Sequence, residues 1–188
     1  MDFDKVIEER HSVRKFKPKR VNFADILEAI DCAIKGPFAG NQNNLKFLIV
    51  EDKNTLSLLA KHASQESINE ASSVILVCSD DTQLEKQYGE RGKDYTRQQA
   101  GAAINTFMLK LTDMGINSCW IGSFDYEIIK EILKIPQSIH IEAMITVGYE
   151  KGSCKKQRKQ ELETVLRWEN WKTYKRPTFF KAAPIHKL

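Results

Sequence analysis

QQAGAAINTFMLKLTDMG, residues 98–115, carries the longest helical signature in the chain and implies a layered architecture. Ala100, Ala103, Ile104, Phe107, Met108, Leu111 and Met114 recur at spacings of three and four, so one side of this helix is apolar and has to be buried. Ala100, Gly101, Ala102 and Ala103 make its first turns slim, which lets another helix or a flat ligand come close. Gly115 follows the last apolar position and predicts the stop.

Outward from this helix, short apolar runs supply strands for it to cover. LKFLIV at 45–50 and SVILVC at 73–78 each read as a buried strand. IEAMITVGY at 141–149 reads as a third, and SCWIGSF at 118–124 as a strand end with a turn. Helices are predicted over 3–9, from an Asn22 N-cap to about Lys35, over 56–62, and over 126–134 before Pro136. GPFAGNQNN, residues 36–44, is loop, and the polar residues 80–97 read as an excursion or an exposed helix over a pocket. Helices interleaved with four or five strands make an α/β or α+β layered domain. After Tyr149 the composition turns basic and then aromatic, too little for a second domain, so residues 176–188 are expected to pack as a tail.

With 188 residues, 41% hydrophobic and 29% charged, the chain suits one globular domain. A formal charge of +4 is too small to mark a dedicated nucleic-acid binder. The scattered cysteines Cys32, Cys78, Cys119 and Cys154 fit a reducing compartment. With no signal-peptide core and no membrane-length apolar run, the expected location is cytoplasmic. There is no GxGxxG after a strand, no GxxxxGK[ST], no GxSxG and no HExxH, and no metal site is expected.

Four features carry chemistry. RHSVRKFKPKR, residues 10–20, holds six Lys or Arg side chains. If the segment is extended, Arg10, Ser12 and Arg14 share a face and suit a phosphate, although a solvated charge run accounts for them as simply. PFAGNQNN at 37–44 offers carboxamides for the polar rim of a heterocycle, or merely turn geometry. At Ile121–Gly122 a ring could approach the backbone, or Trp120 is core and Gly122 a turn. Lys155, Lys156, Arg158 and Lys159 form a basic patch.

In order and spacing, RHSVRKF, GPFAGNQNNLKFLIV, QQAGAAINTFMLKLTDMGINSCWIGSFD, ILKIP and ITVGY followed by a basic run and LRWENW resemble the nitroreductase family of flavoproteins over nearly the whole chain. The resemblance implies an α+β fold, a three-layer α/β/α sandwich with a mixed, mainly antiparallel sheet, formed by residues 1–188 as a single domain. It also implies an intertwined homodimer with FMN at the subunit interface, the 176–188 tail packing on the partner. NADH or NADPH would give a hydride to flavin N5 and leave before a nitroaromatic, quinone or similar small-molecule acceptor takes two electrons. No catalytic acid or base is implied. The cofactor-binding residues it implies are Arg10, His11, Ser12 and Arg14, then Pro37, Phe38, Asn41 and Asn43, then Ile121 and Gly122, and finally Lys156 and Arg158.

The chain departs from the family's PSxxNxQPW loop at Phe38, Asn43, Asn44 and Leu45, and Gln99 stands where an acid is common. Those departures leave open a flavin-storing or sensing protein with little turnover. They also leave the acceptor and the choice between NADH and NADPH undetermined. A nucleic-acid binder is the third reading, but it gives the slim helix and the amide loop no role.

Overall fold

The computed structural model describes residues 1–153 and 160–176. Among these residues, besides a single 3-10 turn at Ala39–Asn41, eight α-helices and four strands follow one another: α1 (Phe3–Glu9), α2 (Phe23–Ala33), β1 (Leu45–Val50), α3 (Lys53–Ala63), α4 (Ser67–Glu70), β2 (Ser73–Ser79), α5 (Thr82–Tyr88), α6 (Arg91–Asp113), β3 (Asn117–Ile121), α7 (Tyr126–Leu133), β4 (His140–Gly148) and α8 (Leu162–Val165). The first eleven lie in one unit, and α8 lies in a second unit formed by the later residues.

Strand β2 explains the layering. All seven of its residues are buried, so both faces of the sheet have to be covered. The sheet order is β1-β2-β4-β3 and every strand pair is antiparallel. The parallel element is an isolated bridge from Ser12 to Ser118. On one face Ile75, Val77, Ala143, Ile145 and Val147 pack with Ile26 and Ala29 of α2 and with Ala103, Ile104 and Phe107 of α6. On the other, Val74, Leu76 and Met144 pack with Leu56 and Leu59 of α3, Ile68 of α4 and Ile129 of α7. Each buried Val, Leu, Ile, Phe or Met among them contributes about 1.5–3 kcal/mol when removed from water. The result is the three-layer α+β sandwich.

Local signals behave as their chemistry dictates. Asn22 caps α2 by accepting from the Ala24 N–H at 3.1 Å, and Asp52 caps α3 by accepting from Thr55 at 2.8 Å. Gly115, at φ +73°, follows the end of α6. Of the two readings of the polar stretch 80–97, an excursion or an exposed helix, the structure shows the helical one: it is α5 plus the first turns of α6, which starts at Arg91 rather than Gln98. The helix forms there because Leu84, Gly92 and Thr96 are buried in a tight hairpin. A Cβ at Gly92 would lie 2.4 Å from the Leu84 carbonyl, so the two backbones meet at that point.

The second unit is held locally by cations on rings. Arg167 lies 4.1 Å from the Tyr174 centroid, and Arg176 lies 5.6 Å from that of Trp168.

Candidate functional site

The basic segment leaves α1 at Arg10 in an extended conformation and runs along the sheet as a laced edge. Val13 N–H donates to Ser118 O at 3.1 Å, Lys17 N–H to Tyr149 O at 2.8 Å, and Lys151 N–H to Lys15 O at 2.9 Å. Val13 and Phe16 are buried against Ala71, which turns Ser12 and Arg14 the other way. Arg10, Ser12 and Arg14 then converge beside Cys119. Burial pushes that thiol's pKa up, while the charge of Arg14, a hydrogen bond from Ser12 and the charge of Arg10 pull against it.

Among the described residues no carboxylate forms an ion pair with Arg10 or Arg14. Two guanidiniums flanking a hydroxyl, none of them neutralised by an acid, are the donor set an exposed phosphate needs. His11 faces the opposite way. Its Nδ1 lies 2.7 Å from Glu9 O and its Nε2 lies 3.2 Å from Glu150 Oε1.

The amide loop lies at the other edge. Its single helical turn, Ala39–Asn41, carries Gly40 at φ +56° and Asn41 at φ +57°. Gly40 fits closely under α5, where a Cβ would come 2.8 Å from the Tyr88 hydroxyl. Pro37 and Phe38 line a cavity of about 360 Å³ with Ala39, Tyr95, Gln98, Gln99 and Ala102. Asn43 folds back on its own chain, its Oδ1 accepting from Leu45 N–H at 3.0 Å, and both Asn41 and Asn43 are exposed. The turn-geometry role thus describes Asn43 within the chain.

At the end of β3, Ile121 is buried, whereas Trp120 is 40% exposed, unusual for so large an apolar ring. A Cβ at Gly122 would meet Trp120 Nε1 at 3.7 Å, an ordinary contact, so packing within the chain does not require glycine there. Lys156 and Arg158 lie outside the described residues.

The strand register separates these groups. The basic segment sits beside β3 near Ser118, whose partner on β4 is Val147; the amide loop enters β1 at Leu45, in the row that ends at His140. With strands about 4.8 Å apart and a rise of about 3.3 Å per residue, the two lie roughly 25 Å apart diagonally across the sheet. Helix α6, 23 residues and hence about 34 Å long, runs between them: Thr96 and Gln99 in its N-terminal half contact the amide loop, and Asp113 at its end pairs with the N-terminus ahead of α1. One chain therefore places the basic segment and the amide loop at opposite corners of the sheet.

Sequence reasoning passed over two sets of residues. Gln99, read there only as a structural change, is 5% exposed and hydrogen-bonds the amide loop at Ala39, Gln42 and Asn44. Arg97 ties Asp81 of the β2–α5 turn to Glu142 of β4 and to the Ser79 hydroxyl. His140 packs on the Tyr126 ring beside it, centroids 4.9 Å apart. These contacts join positions 14 to 63 residues apart, so no local spacing marks them.

The three-layer α+β sandwich, with the Arg10–Ser12–Arg14 trio at one sheet edge and a cavity beside the amide loop at the other, is a nitroreductase-type fold. The chain superposes on the nitroreductase family protein of Streptococcus pneumoniae with a TM-score of 0.81 at 25% identity, over 88% of this chain and 99% of that one. The NADPH:FMN oxidoreductase of Vibrio harveyi, solved with NAD+, gives 0.82 at 14% identity over 91% and 78%, a likeness of fold alone. The sequence profile described as Nitroreductase family matches residues 7–72 and 60–149. A protein of Archaeoglobus fulgidus, provisionally named an NADH dehydrogenase/NAD(P)H nitroreductase, is 28% identical over 152 residues, covering 78% of this chain and 84% of that protein. The chain belongs to the nitroreductase family and is an oxidoreductase.

Proposed function

We propose that the protein is an FMN-dependent NAD(P)H oxidoreductase that works as a homodimer, each flavin bound by the basic segment of one subunit and the amide loop of its partner. The observation that carries this reading is the trio Arg10, Ser12 and Arg14, unpaired with any described carboxylate and held on a rigid edge. The donor set fits a flavin phosphate, and the cavity at Phe38, large enough for a flat ring, fits the other end.

When bound, the flavin supplies the two-electron chemistry, taking a hydride from NADH or NADPH and reducing a nitroaromatic, quinone or similar acceptor in a ping-pong sequence. The chain's own contribution is electrostatic and steric. Arg10 and Arg14 offset the phosphate charge, and Ser12 donates a hydrogen bond to it. Phe38 and Tyr95 keep water from one side of the cavity, and the backbone at Ile121–Gly122 leaves room for a ring. Lys156 and Arg158 complete the same proposal from outside the described residues, and Asn41 and Asn43 supply its amide rim.

Two features support the dimer. The half-sites of one chain lie too far apart to grip one ring. An apolar stripe also stands open on α1 and α2: Phe3 is 67% exposed, Ile7 49%, Phe23 49%, Leu27 45% and Ile34 42%. The proposal takes residues 1–188 as one functional domain with residues 176–188 as an arm for the partner. No described helix is long and apolar enough to cross a membrane, and the proposed setting is cytoplasmic.

The visible spectrum of the purified protein, recorded before and after anaerobic addition of NADH and then NADPH, tests the reading. Flavin bands that bleach are the expected result. Bands that persist would turn the reading toward flavin storage or sensing, and a protein that neither carries nor takes up FMN would overturn it.

A further inference from the structure

Hydrogen-bond accounting fixes the orientation of every group around Gln99. Thr96 is fully buried and its hydroxyl donates to Gly92 O at 3.1 Å, so its oxygen accepts from Asn44 Nδ2 at 3.0 Å. The same Nδ2 donates to Asp80 O at 2.8 Å. Both hydrogens of that amide are thereby spent on acceptors, and Asn44 is left with its Oδ1 turned toward Gln99. Gln99 Nε2 donates to this oxygen and, at 3.2 Å, to Gln42 O, while Gln99 Oε1 accepts from Ala39 N–H at 3.0 Å.

One buried carboxamide therefore staples both ends of the turn that contains the two positive-φ residues. Positions 44 and 99 are two of the places where this chain departs from the family pattern, and the departures touch each other. An acid at 99 could accept from Ala39 N–H but has no hydrogen for Gln42 O or Asn44 Oδ1 when ionised. A proline at 44 would bring no side-chain oxygen for Gln99 to reach.

We infer that Gln99, through its pairing with Asn44, is a positioning residue: it sets the Pro37–Phe38–Ala39 wall of the 360 Å³ cavity and so selects how thick and how wide a flat ring can enter. The inference rests on the reading of that cavity as the ring end of the proposed flavin site. Gln99 touches no reacting atom, and acts by holding Phe38 at a fixed height opposite Tyr95.

Gln99→Glu tests it with a signature that a merely structural role would not produce. A buried carboxyl facing two acceptors is raised above its ordinary value of about 4.3, because both burial and the acceptors favour the neutral acid. At pH 8 the ionised side chain should push the loop away; near pH 5 the protonated acid regains a donor and should let it return.

Hydrogen-exchange protection of residues 37–44 in the flavin-free chain should fall about tenfold at pH 8 and recover at pH 5. FMN affinity should follow it, and the ratio of kcat/KM for a two-ring against a one-ring quinone should shift. Gln99→Met, of similar volume, should lose protection and affinity at both pH values, and it serves if the Glu variant does not fold.

Protection and affinity equal to the parent in both variants would overturn the inference, as would a Gln99→Glu defect of equal size at both pH values. A parent chain that takes up no flavin would instead overturn the reading of the cavity. The protection factors would then still decide whether Gln99 holds the loop.

Discussion

Ser12 and Ser118 pair as neighbours on parallel segments, with Val13 N–H donating to Ser118 O at 3.1 Å. This contact gives a basic stretch near the start of the chain a fixed address on the edge of β3. It also brings the first and third sequence features, RHSVR and SCWIG, to one place. The second feature, the amide loop, is carried to the opposite corner of the sheet by the strand order.

Arg14 is exposed and, among the described residues, forms no ion pair, so Arg14→Ala should leave the flavin-free fold almost unchanged. FMN affinity should fall by the worth of a charge-assisted hydrogen bond, about 1.5–3 kcal/mol, or roughly ten- to a hundredfold in Kd. Fluorescence titration with FMN checks it, and an unchanged Kd would place the phosphate elsewhere.

The proposed composite sites predict complementation between subunits. A variant carrying Arg10→Ala and Arg14→Ala and a variant with residues 38–43 replaced by glycine and serine should each bind FMN poorly. In a mixed dimer both defects fall in one site and the other site is intact. Co-expression and dual-tag purification should therefore recover one FMN per dimer with parental affinity. Absence of any recovery would mean that each site belongs to a single chain.

Two glycines should respond in opposite ways. At Gly148 a Cβ would lie 2.7 Å from Phe16 Cδ1, and Phe16 is 2% exposed. Gly148→Ala should cost about 1–3 kcal/mol by overpacking. It should also weaken FMN binding, because Phe16 anchors the basic segment. At Gly101 a Cβ would meet nothing within 4 Å in this chain, so Gly101→Ala should add up to about 1 kcal/mol to monomer stability through helix propensity. Urea denaturation measures both. A loss of flavin or of dimer in Gly101→Ala would show that a partner or a ring occupies the slim face of α6.

Stability should fall at both ends of the pH range, through different residues. Burial chiefly, then the charge of Glu142, pushes the Cys78 thiol from 9.0 up to about 11, with Lys130 pulling the other way. The folded chain holds that proton more tightly than the unfolded one. Stability present below pH 9 is thus lost between about pH 9 and 11, by about 2–3 kcal/mol at 1.36 kcal/mol per unit. Burial and then Arg97 push His140 below 6.5, against Glu142 and Asp81, so the fold keeps this ring neutral. Stability present above pH 6.5 is lost as the pH falls through that value. Denaturation curves across pH should show a flatter alkaline limb for Cys78→Ala and a flatter acid limb for His140→Gln. Limbs of parental steepness would assign the pH dependence to other groups.

What the sequence determined by itself was everything local. The heptad-like spacing in α6, the unbroken apolar run of β2 and the Asn22 cap are dictated by neighbours within a few residues, and they appear in the structure where chemistry puts them. The order of five pieces, from RHSVRKF through GPFAGNQNNLKFLIV, the slim helix to SCWIGSFD, and ILKIP to ITVGY with its basic run, indicated the family. Tertiary structure decided the rest, because the deciding contacts join positions far apart in the chain. Residues 82–97 look too polar for a core, yet Leu84, Gly92 and Thr96 are buried because two helix backbones close on Gly92. Gln99 reads as a polar accident until three loop groups, 55 to 60 residues away, are seen to take all it can offer. The separation of the basic segment from the amide loop is likewise invisible along the chain, where residues 14 and 37 are only 23 positions apart. Strand order alone sends them to opposite corners of the sheet, and strand order follows from which apolar faces bury each other, not from any short stretch of sequence.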